Sequence, residues 1–354
     1  MPSVDVVVPC YNYGRFLERC VGSVLSQSGV DVRVLIVDDH SFDSTAEIAA
    51  ALANRDLRVK CQRHELNHGH IATYNEGLLG WASAEYSVLL SADDLLAPGA
   101  LARATSLMER HPDIGMAYGM ALTFSDEAEI PAPPELSFHD TRIIPGWQLI
   151  KHFCEVGNEV ASPSVVVRTA VQKKLGGYRA HLPHSGDMEM WMRFAAAGPV
   201  GVLRSVQALY RRHSENMTLQ YNRTLIGDRL EKLAACTEAL NAWGKDFPGF
   251  SDWVSAMADR LGEEVFWLAS DAFDAGELES SREYLAVAIR LNRRLRGSPS
   301  WWRFQLKSLL GRRLSGMYQD IRSSQQRGGI GDRCAEHNEH SSARVFGWWP
   351  IGEP

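Results

Sequence analysis

Short apolar runs alternate with segments of helical periodicity through the first third of the chain. The predicted strands cover residues 4–8, 32–37, 58–62 and 86–90, and the helices that follow them cover residues 16–27, 46–53, 71–81 and 99–110. Strands that alternate with helices of this length are typical of parallel crossover units, in which helices lie on both faces of one sheet. The pattern therefore predicts an α/β fold with ligands at the carboxyl ends of the strands.

Polar residues follow three of these strands, in the segments PCYNYG, VDDHS and SADD. Asp38 and Asp39 end the second strand, and Asp93 and Asp94 end the fourth. Adjacent carboxylates repel each other, so each pair needs a helix N-terminus, an arginine or a metal ion as a partner. A cap needs only one carboxylate, and Pro98 indicates that the next helix begins later. The SADD segment therefore favours Mg²⁺ or Mn²⁺, which prefer oxygen ligands and bridge to substrate phosphates.

The pattern changes along the rest of the chain. Strand signals end near residue 220, and long helical patterns rich in alanine, leucine and tryptophan follow. The tail is polar and rich in glycine, a composition typical of disorder. We therefore predict an α/β domain over residues 1–220, a helical region over 221–322 and a disordered tail over 323–354.

Composition limits the classes of partner and compartment. A net charge of −6 does not indicate nucleic acid as a partner. The six cysteines are scattered without a C-x-x-C pair, which argues against a zinc cluster or a disulfide framework and fits a reducing compartment. Because the sequence shows neither a signal peptide nor a run of roughly 18 apolar residues, we expect a cytoplasmic protein.

Four blocks of sequence together resemble one family. VVVPCYNYGRFLERC, VLIVDDHSFDST, NHGHIATYNEGL and LLSADDLLAPGAL resemble, in order and spacing, the nucleotide-binding half of family-two glycosyltransferases with the GT-A fold. The resemblance continues through GGY, GDMEMWMRF and YRRHSENMT and covers residues 3 to 220. It implies a mixed, Rossmann-like sheet sandwiched by helices, followed here by the helical C-terminal region.

The same resemblance implies an activity. Such an enzyme transfers a sugar with inversion from a nucleotide-diphospho-sugar, here a UDP-sugar, to a hydroxyl acceptor in polysaccharide or glycoconjugate synthesis. The acceptor is a saccharide or a lipid-linked saccharide, and the cofactor is Mn²⁺ or Mg²⁺. Two alternatives stay open, namely a catalytically weak nucleotide-sugar-binding module and a nucleotidyltransferase. The single glycine in PCYNYG argues against the second, because that segment does not form a glycine-rich phosphate loop.

The resemblance also implies roles for individual residues. The implied donor-binding residues are Pro9, Tyr11, Asn12, Asp38, Asp39, Asn67 and Asp93. Among them Asp39 would accept a hydrogen bond from the base, and Asp93 would reach the ribose or the sugar. For Asp38 a turn or cap role is an equal alternative. Asp94 would bind the metal, and His213 would approach the metal or the diphosphate.

The implied catalytic base is Asp187, which precedes the helical segment MEMWMRF. A helix N-cap is its alternative role, and Glu189 is the alternative base. The sequence departs from the family pattern at Ser91 and Gly186, where relatives carry acids, and these departures give weight to the binding module. The histidines of HELNHGH show no convincing metal spacing, so we interpret them as loop polarity.

Residues 290–313 mix basic and aromatic side chains and contain no acid. Such a segment suits peripheral contact with an anionic membrane, here the inner face of the cell membrane, where it would present a lipid-linked acceptor. The alternative is a helix whose tryptophans pack on the catalytic domain and whose arginines are solvated. The Gly-Ser-Pro interruption favours that alternative.

Overall fold

The computed structural model describes residues 1–125, 140–217, 225–243, 247–309 and 344–350. The chain divides into two units. The α/β unit comprises Met1–Arg223, Asn241–Trp243 and Ser341–Pro354, and the helical unit comprises Thr224–Leu240 and Gly244–His340. The first segment of the α/β unit ends at Arg223, and the sequence predicts a boundary at residue 220. The return of the last residues to the α/β unit is not predicted by the sequence.

The α/β unit contains ten strands and seven α-helices among its described residues. The strands are β1 Ser3–Cys10, β2 Asp31–Asp38, β3 Val59–Arg63, β4 Tyr86–Leu89, β5 Leu95–Leu96, β6 Met116–Phe124, β7 Thr141–Ile144, β8 Val166–Arg168, β9 Val200–Arg211 and β10 Val345–Phe346. The helices are α1 Gly14–Leu25, α2 Thr45–Arg55, α3 His70–Asn75, α4 Ala100–Arg110, α5 Gly146–Glu155, α6 Thr169–Leu175 and α7 Gly186–Ala197.

All ten strands belong to one mixed sheet, and the main order is β3-β2-β1-β4-β8-β6-β9-β5. The first four strands are parallel to one another, with the pairs β1–β2, β2–β3 and β1–β4. Strand β8 is antiparallel to both β4 and β6, and β6 pairs in parallel with β9. β7 pairs with β9 and β10 with β6. The predicted mixed sheet with flanking helices is confirmed. Because β1 and β2 are covered on both faces, they consist of nearly continuous apolar runs.

One helical turn packs closely against β1. The sequence predicts one helix over residues 71–81, whereas the structure has α3 followed by a π-helical turn, Glu76–Trp81. Gly77 in this turn lies against Val7 of β1, and a Cβ atom there would collide with the Val7 side chain. Gly80, three residues later in the same turn, has open space where its Cβ atom would lie.

The last described segment, residues 344–350, forms what we call the C-terminal strap. Val345 and Phe346 pair with Leu122 and Ala121 of β6. Thr123 N–H donates to the Arg344 carbonyl at 2.8 Å, and Arg344 N–H donates to Thr123 Oγ1 at 3.0 Å. The predicted disordered tail over 323–354 is therefore wrong for these seven residues, whose paired strand supplies backbone hydrogen bonds. The other residues of that tail lie outside the described part of the chain.

The helical unit has its own core. Its helices are α8 Leu225–Trp243, α9 Phe250–Ala275, α10 Leu278–Leu291 and α11 over 299–309. Its buried residues include Phe266, Phe273 and Phe304, and Trp301 packs against them. Trp302, Leu306 and Leu309 lie on the exposed side of α11. No helix in the described ranges is long and apolar enough to cross a bilayer. The peripheral membrane contact of 290–313 stays a prediction.

We expect Gly77→Ala to destabilise the protein by about 1–3 kcal/mol, because the added methyl group must displace buried Val7 or the β1 backbone. Gly80→Ala is the matched control in the same turn and should be neutral or stabilising by up to about 1 kcal/mol, because alanine favours helical backbone. Urea unfolding followed by circular dichroism measures both. Equal effects of the two variants would contradict the packing argument.

Candidate functional site

The loops after β1 and β2 are joined by the side chain and backbone of Asn12. Its N–H donates to Ser41 Oγ at 2.9 Å, and its Oδ1 accepts from Phe42 N–H at 2.8 Å. Asn12 has a φ of 58°, in the left-handed region that asparagine tolerates better than most residues. Pro9 pairs with Val37 just before this loop. The two loops therefore form one surface at the carboxyl edge of the sheet.

Aromatic rings line this surface. Tyr11 is half-exposed and meets Phe42 edge to face, with ring centroids 6.5 Å apart. His40 contacts the other side of Phe42 at 5.3 Å. Phe42 itself is 76% exposed, so its ring offers an apolar face to solvent. Such a face is suitable for stacking with a planar base.

Asp38 makes a turn within this edge. Its Oδ1 accepts from Ser41 N–H at 2.9 Å, and its Oδ2 lies 3.3 Å from Arg63 Nε. The side chain is almost fully buried. These contacts fit the turn role that the sequence left open, and donor binding by Asp38 stays a prediction.

Asp39 organises the loop that precedes α3. Its Oδ1 lies 2.7 Å from His64 Nδ1 and accepts from His68 N–H at 2.8 Å, and its Oδ2 accepts from Gly69 N–H at 2.9 Å. Burial alone would raise the pKa of Asp39, but these hydrogen bonds lower it below the ordinary value. The carboxylate therefore stays ionised. Its predicted contact with the base stays a prediction, since three of its acceptor positions are used inside the protein.

His64 is a buried bridge rather than a polar loop residue, so our interpretation of it was wrong. Its Nε2 lies 2.8 Å from Glu76 Oε2, while Nδ1 faces Asp39. Burial would lower the pKa of His64, but the two carboxylates raise it. His64 stacks on His68 with centroids 4.4 Å apart, and ligand atoms of His64, His68 and Glu76 lie within 4.8 Å of one another. These three residues could hold a cation, which the sequence spacing does not indicate.

Two asparagines complete the loop. Asn67 Oδ1 accepts from Gly69 N–H at 3.0 Å and closes a local turn, with the residue itself exposed. Asn75 donates to the Tyr178 carbonyl at 2.9 Å and accepts from Tyr178 N–H at 2.6 Å. Asn75 thus joins α3 to the segment before α7 and is a packing amide. Donor binding by Asn67 stays a prediction.

The carboxylate pair after β4 lies beside the end of β9. Asp93 Oδ2 lies 3.0 Å from His213 Nε2 and accepts from Asn216 Nδ2 at 3.2 Å. Asp94 Oδ1 accepts from Arg211 N–H at 3.0 Å. Burial, together with the neighbouring charge of Asp93, raises the pKa of Asp94 well above its ordinary value. Two buried acidic groups therefore lie side by side, and the ionised form of Asp94 is disfavoured unless a cation compensates it.

Arg211 and Asn216 also belong to this site, and the sequence pattern gives no signal for the Asn216 contact. The Arg211 guanidinium lies between the rings of Phe16 and Phe124, at 4.6 and 4.5 Å. Its Nε donates to the Asp93 carbonyl at 2.8 Å. Asn216 also accepts from His213 N–H at 2.6 Å through Oδ1. The four-residue turn over 213–216 thus closes around Asp93.

The residues present fit a divalent cation. Carboxylate oxygens and an imidazole nitrogen are ligands that Mn²⁺ accepts, and oxygens alone suit Mg²⁺. The raised pKa of Asp94 shows that burial and the charge of Asp93 disfavour its ionised form, and a bound cation would favour that form. His213 Nδ1 accepts from Glu215 N–H at 3.3 Å, which places the ring hydrogen on Nε2, facing Asp93. His213 therefore positions Asp93 in this state, and metal ligation by His213 stays a prediction.

Asp187 lies in the first turn of α7 and is half-buried. Ser162 Oγ donates a hydrogen bond to its Oδ2. Burial raises the pKa of Asp187, and the Ser162 hydrogen bond and the charge of His70 offset this only in part. A carboxylate with a raised pKa is a better proton acceptor than an ordinary aspartate. No local signal in the sequence indicates this contact between Ser162 and Asp187.

Glu189, the alternative base, is committed to packing. Its carboxylate pairs with Arg193 at 2.8 Å, and both side chains are 3% exposed. Arg193 also donates to the carbonyls of Leu175 and Gly177. Trp191 is buried and belongs to the core of the unit. These contacts leave Asp187 as the carboxylate of α7 that can meet a substrate.

Residues 5–166 match the family model described as Glycosyl transferase family 2. The chain is 29% identical over 201 residues to an uncharacterized protein of Mycobacterium tuberculosis, covering 54% of this chain and 61% of that protein. It is 34% identical over 93 residues to glycosyltransferase GlyG of Streptococcus pneumoniae, covering 26% of this chain and 31% of that protein. The matched parts thus span less than two thirds of either relative.

Solved structures share the fold. The chain is similar to TarS of S. aureus with a TM-score of 0.55 and 19% identity, covering 82% of this chain and 49% of TarS. The complex of TarS 1–349 with UDP-GlcNAc gives a TM-score of 0.51 at 19% identity, covering 84% of this chain and 92% of that chain. The mannosyltransferase PcManGT from Pyrobaculum calidifontis, in complex with GDP-Man and Mn²⁺, gives a TM-score of 0.51 at 14% identity. The match covers 81% of this chain and 84% of PcManGT.

We expect Glu189→Ala to destabilise the protein by about 3–5 kcal/mol, because it leaves the buried Arg193 charge unpaired. Glu155→Ala is the matched control, since Glu155 forms an exposed pair with Lys151 at the same helical spacing. That control should cost at most about 0.5 kcal/mol. Urea unfolding measures both changes. A loss for Glu189→Ala no larger than that of the control would show that the pair is not structural.

Proposed function

Residues 5–166 match the glycosyl transferase family 2 model, and from that premise we propose that this chain is a member of the family and transfers a sugar from a nucleotide-diphospho-sugar to a hydroxyl acceptor. The observation that carries the proposal is the buried Asp93–Asp94 pair at the carboxyl end of β4, held by the segment after β9. Ligands of open α/β sheets bind at this edge. The fold of the nucleotidyltransferase alternative is similar, but the family match argues against it.

The proposed donor is a UDP-sugar. Its base would lie on the surface formed by Tyr11, Asn12 and the loop held by Asp39, next to Pro9 and Asp38. Asn67 closes the neighbouring turn and Asp93 would receive the ribose or sugar hydroxyls. TarS 1–349 binds UDP-GlcNAc and PcManGT binds GDP-Man, so the choice between uracil and guanine rests on this chain's own loop.

The proposed cofactor is Mn²⁺ or Mg²⁺, held by Asp94 with His213 beside it. When bound, the ion would neutralise charge that develops on the leaving diphosphate. The protein supplies the rest of the electrostatics. Arg211, fixed between two aromatic rings, places a permanent positive charge beside the same carboxylates. A buried arrangement of this kind needs little reorganisation during the reaction.

The proposed base is Asp187. It would accept the proton of the acceptor hydroxyl as that oxygen attacks the anomeric carbon, with inversion by direct displacement. Ser162 orients the carboxylate by its hydrogen bond to Oδ2. The acceptor would be a saccharide or a lipid-linked saccharide in polysaccharide or glycoconjugate synthesis. A binding module without turnover is the competing hypothesis, because Ser91 and Gly186 replace acids of the family pattern.

We expect Asp94→Asn to lower UDP release from UDP-sugars about 100-fold or more, because it removes a charged oxygen from the cation site. EDTA should have the same effect on the unmodified protein, and added Mn²⁺ should reverse it. Ser91→Ala is the control at the same strand end. Full turnover in metal-free buffer would contradict the metal assignment, and UDP binding without any release would favour the binding module.

We expect Asp187→Asn to lower the transfer rate about 10³-fold while UDP affinity by calorimetry changes less than twofold. The ionised base is the active form, so activity is lost as the pH falls through the pKa of Asp187. Because that pKa is raised, the loss should begin at a higher pH than for an ordinary aspartate. The residual rate of the Asp187→Asn variant should not show this loss of activity at low pH. A parallel loss of UDP binding would instead make Asp187 a structural or donor residue.

A further inference from the structure

Two aromatic rings lie together on one face of the sheet, over three alanines. Tyr210 of β9 and Phe346 of the C-terminal strap meet edge to face, with centroids 5.8 Å apart and an angle of 86°. Both residues are half-buried, so part of each ring reaches solvent. They pack against Ala121, Ala161 and Ala208, the small residues beneath them.

Strand register explains why these side chains share a face. Phe346 pairs with Ala121, and Ala121 pairs with Ala208, so the three form a row across three strands. Tyr210 lies two residues beyond Ala208 and therefore points to the same side. On the opposite face, Val345 packs with Leu122 and Leu209 in a separate apolar cluster.

The rings adjoin both halves of the candidate site. Ala161 immediately precedes Ser162, whose hydroxyl donates to Asp187. Tyr210 immediately precedes Arg211, whose N–H donates to Asp94. The rings therefore lie next to segments that hold the proposed base and the carboxylate pair.

We propose that Tyr210 and Phe346 form a platform that binds a sugar ring of the acceptor, so that the acceptor is a saccharide. This inference rests on the proposed glycosyl transfer. One face of a pyranose ring carries mainly C–H groups, and it packs on an aromatic ring while the hydroxyls point to polar groups. Because alanine side chains are short, the two rings extend beyond the alanines against which they pack.

The strap holds Phe346 in place before any ligand binds. Trp348 stacks on His152 with centroids 4.0 Å apart and an angle of 9°. Trp349 lies against the guanidinium of Arg142 at 5.1 Å, and Arg142 also donates to the Pro350 carbonyl. A ring fixed in this way loses little side-chain freedom when it contacts a ligand, which favours binding.

The experiment compares Phe346→Ala with Val345→Ala, its neighbour on the opposite face of the same strand. Transfer to methyl glycosides of glucose, galactose and N-acetylglucosamine is measured with UDP-glucose, UDP-galactose, UDP-GlcNAc and GDP-mannose as donors, in Mn²⁺. Phe346→Ala should raise the KM for the glycoside at least tenfold, with UDP or GDP release into water changed less than twofold. Val345→Ala should leave that KM within twofold, and Phe346→Tyr should restore it.

Three results would overturn the platform. Equal effects of Phe346→Ala and Val345→Ala would reduce Phe346 to a structural role, and no effect of either would remove it from the acceptor site. Nucleotide release without transfer to any glycoside would also overturn it, while the proposed donor chemistry would stand. Failure of the proposed function is distinguishable, because the protein would then cleave none of the four donors, whether or not it binds them.

Discussion

A buried carboxylate at the end of a central strand is the constraint on which the site depends. Asp93 is removed from water, and an unpaired charge in such a place would cost several kcal/mol. Its partners, His213 and Asn216, come from the turn after β9, far away along the chain. Satisfying this charge therefore fixes the relative position of β4 and β9, and it places Asp94 and Arg211 beside each other.

The same turn also contacts the loop after β1 and the start of α1. Tyr13 Oη donates to the Glu215 carbonyl at 2.9 Å, and Arg15 forms an ion pair with the Glu215 side chain. The ring of Tyr13 also contacts that of His213 at 5.3 Å. The first loop is thus connected to the carboxylate pair, while Asn12 connects it to the loop after β2. A substitution at one strand end would therefore alter the positions of side chains at the others through these hydrogen bonds and ring contacts.

Sequence periodicity predicted the α/β architecture, and the acids at strand ends indicated the edge where the candidate site lies, because parallel strands end at one edge. Other contacts could not be predicted from sequence. Ser162 meets Asp187 and Asn216 meets Asp93 only through tertiary packing between distant segments. His64 has the local sequence of a polar loop, and its burial depends on Asp39. In the tail, the apolar cluster VFGWW could have indicated the ordered strand. The prediction of disorder instead followed the polar residues that precede this cluster.

The C-terminal strap also affects how the sheet is made. Thr123 and Arg344 are hydrogen-bonded although they are 221 residues apart in sequence. During synthesis, β6 therefore forms with part of one edge unpaired until the ribosome has produced the whole helical unit and the strap. Unpaired strand edges are sites of aggregation, and domains emerge in order from the N-terminus. Shortening the chain at its end, as in making a smaller expression product, would leave that edge open permanently.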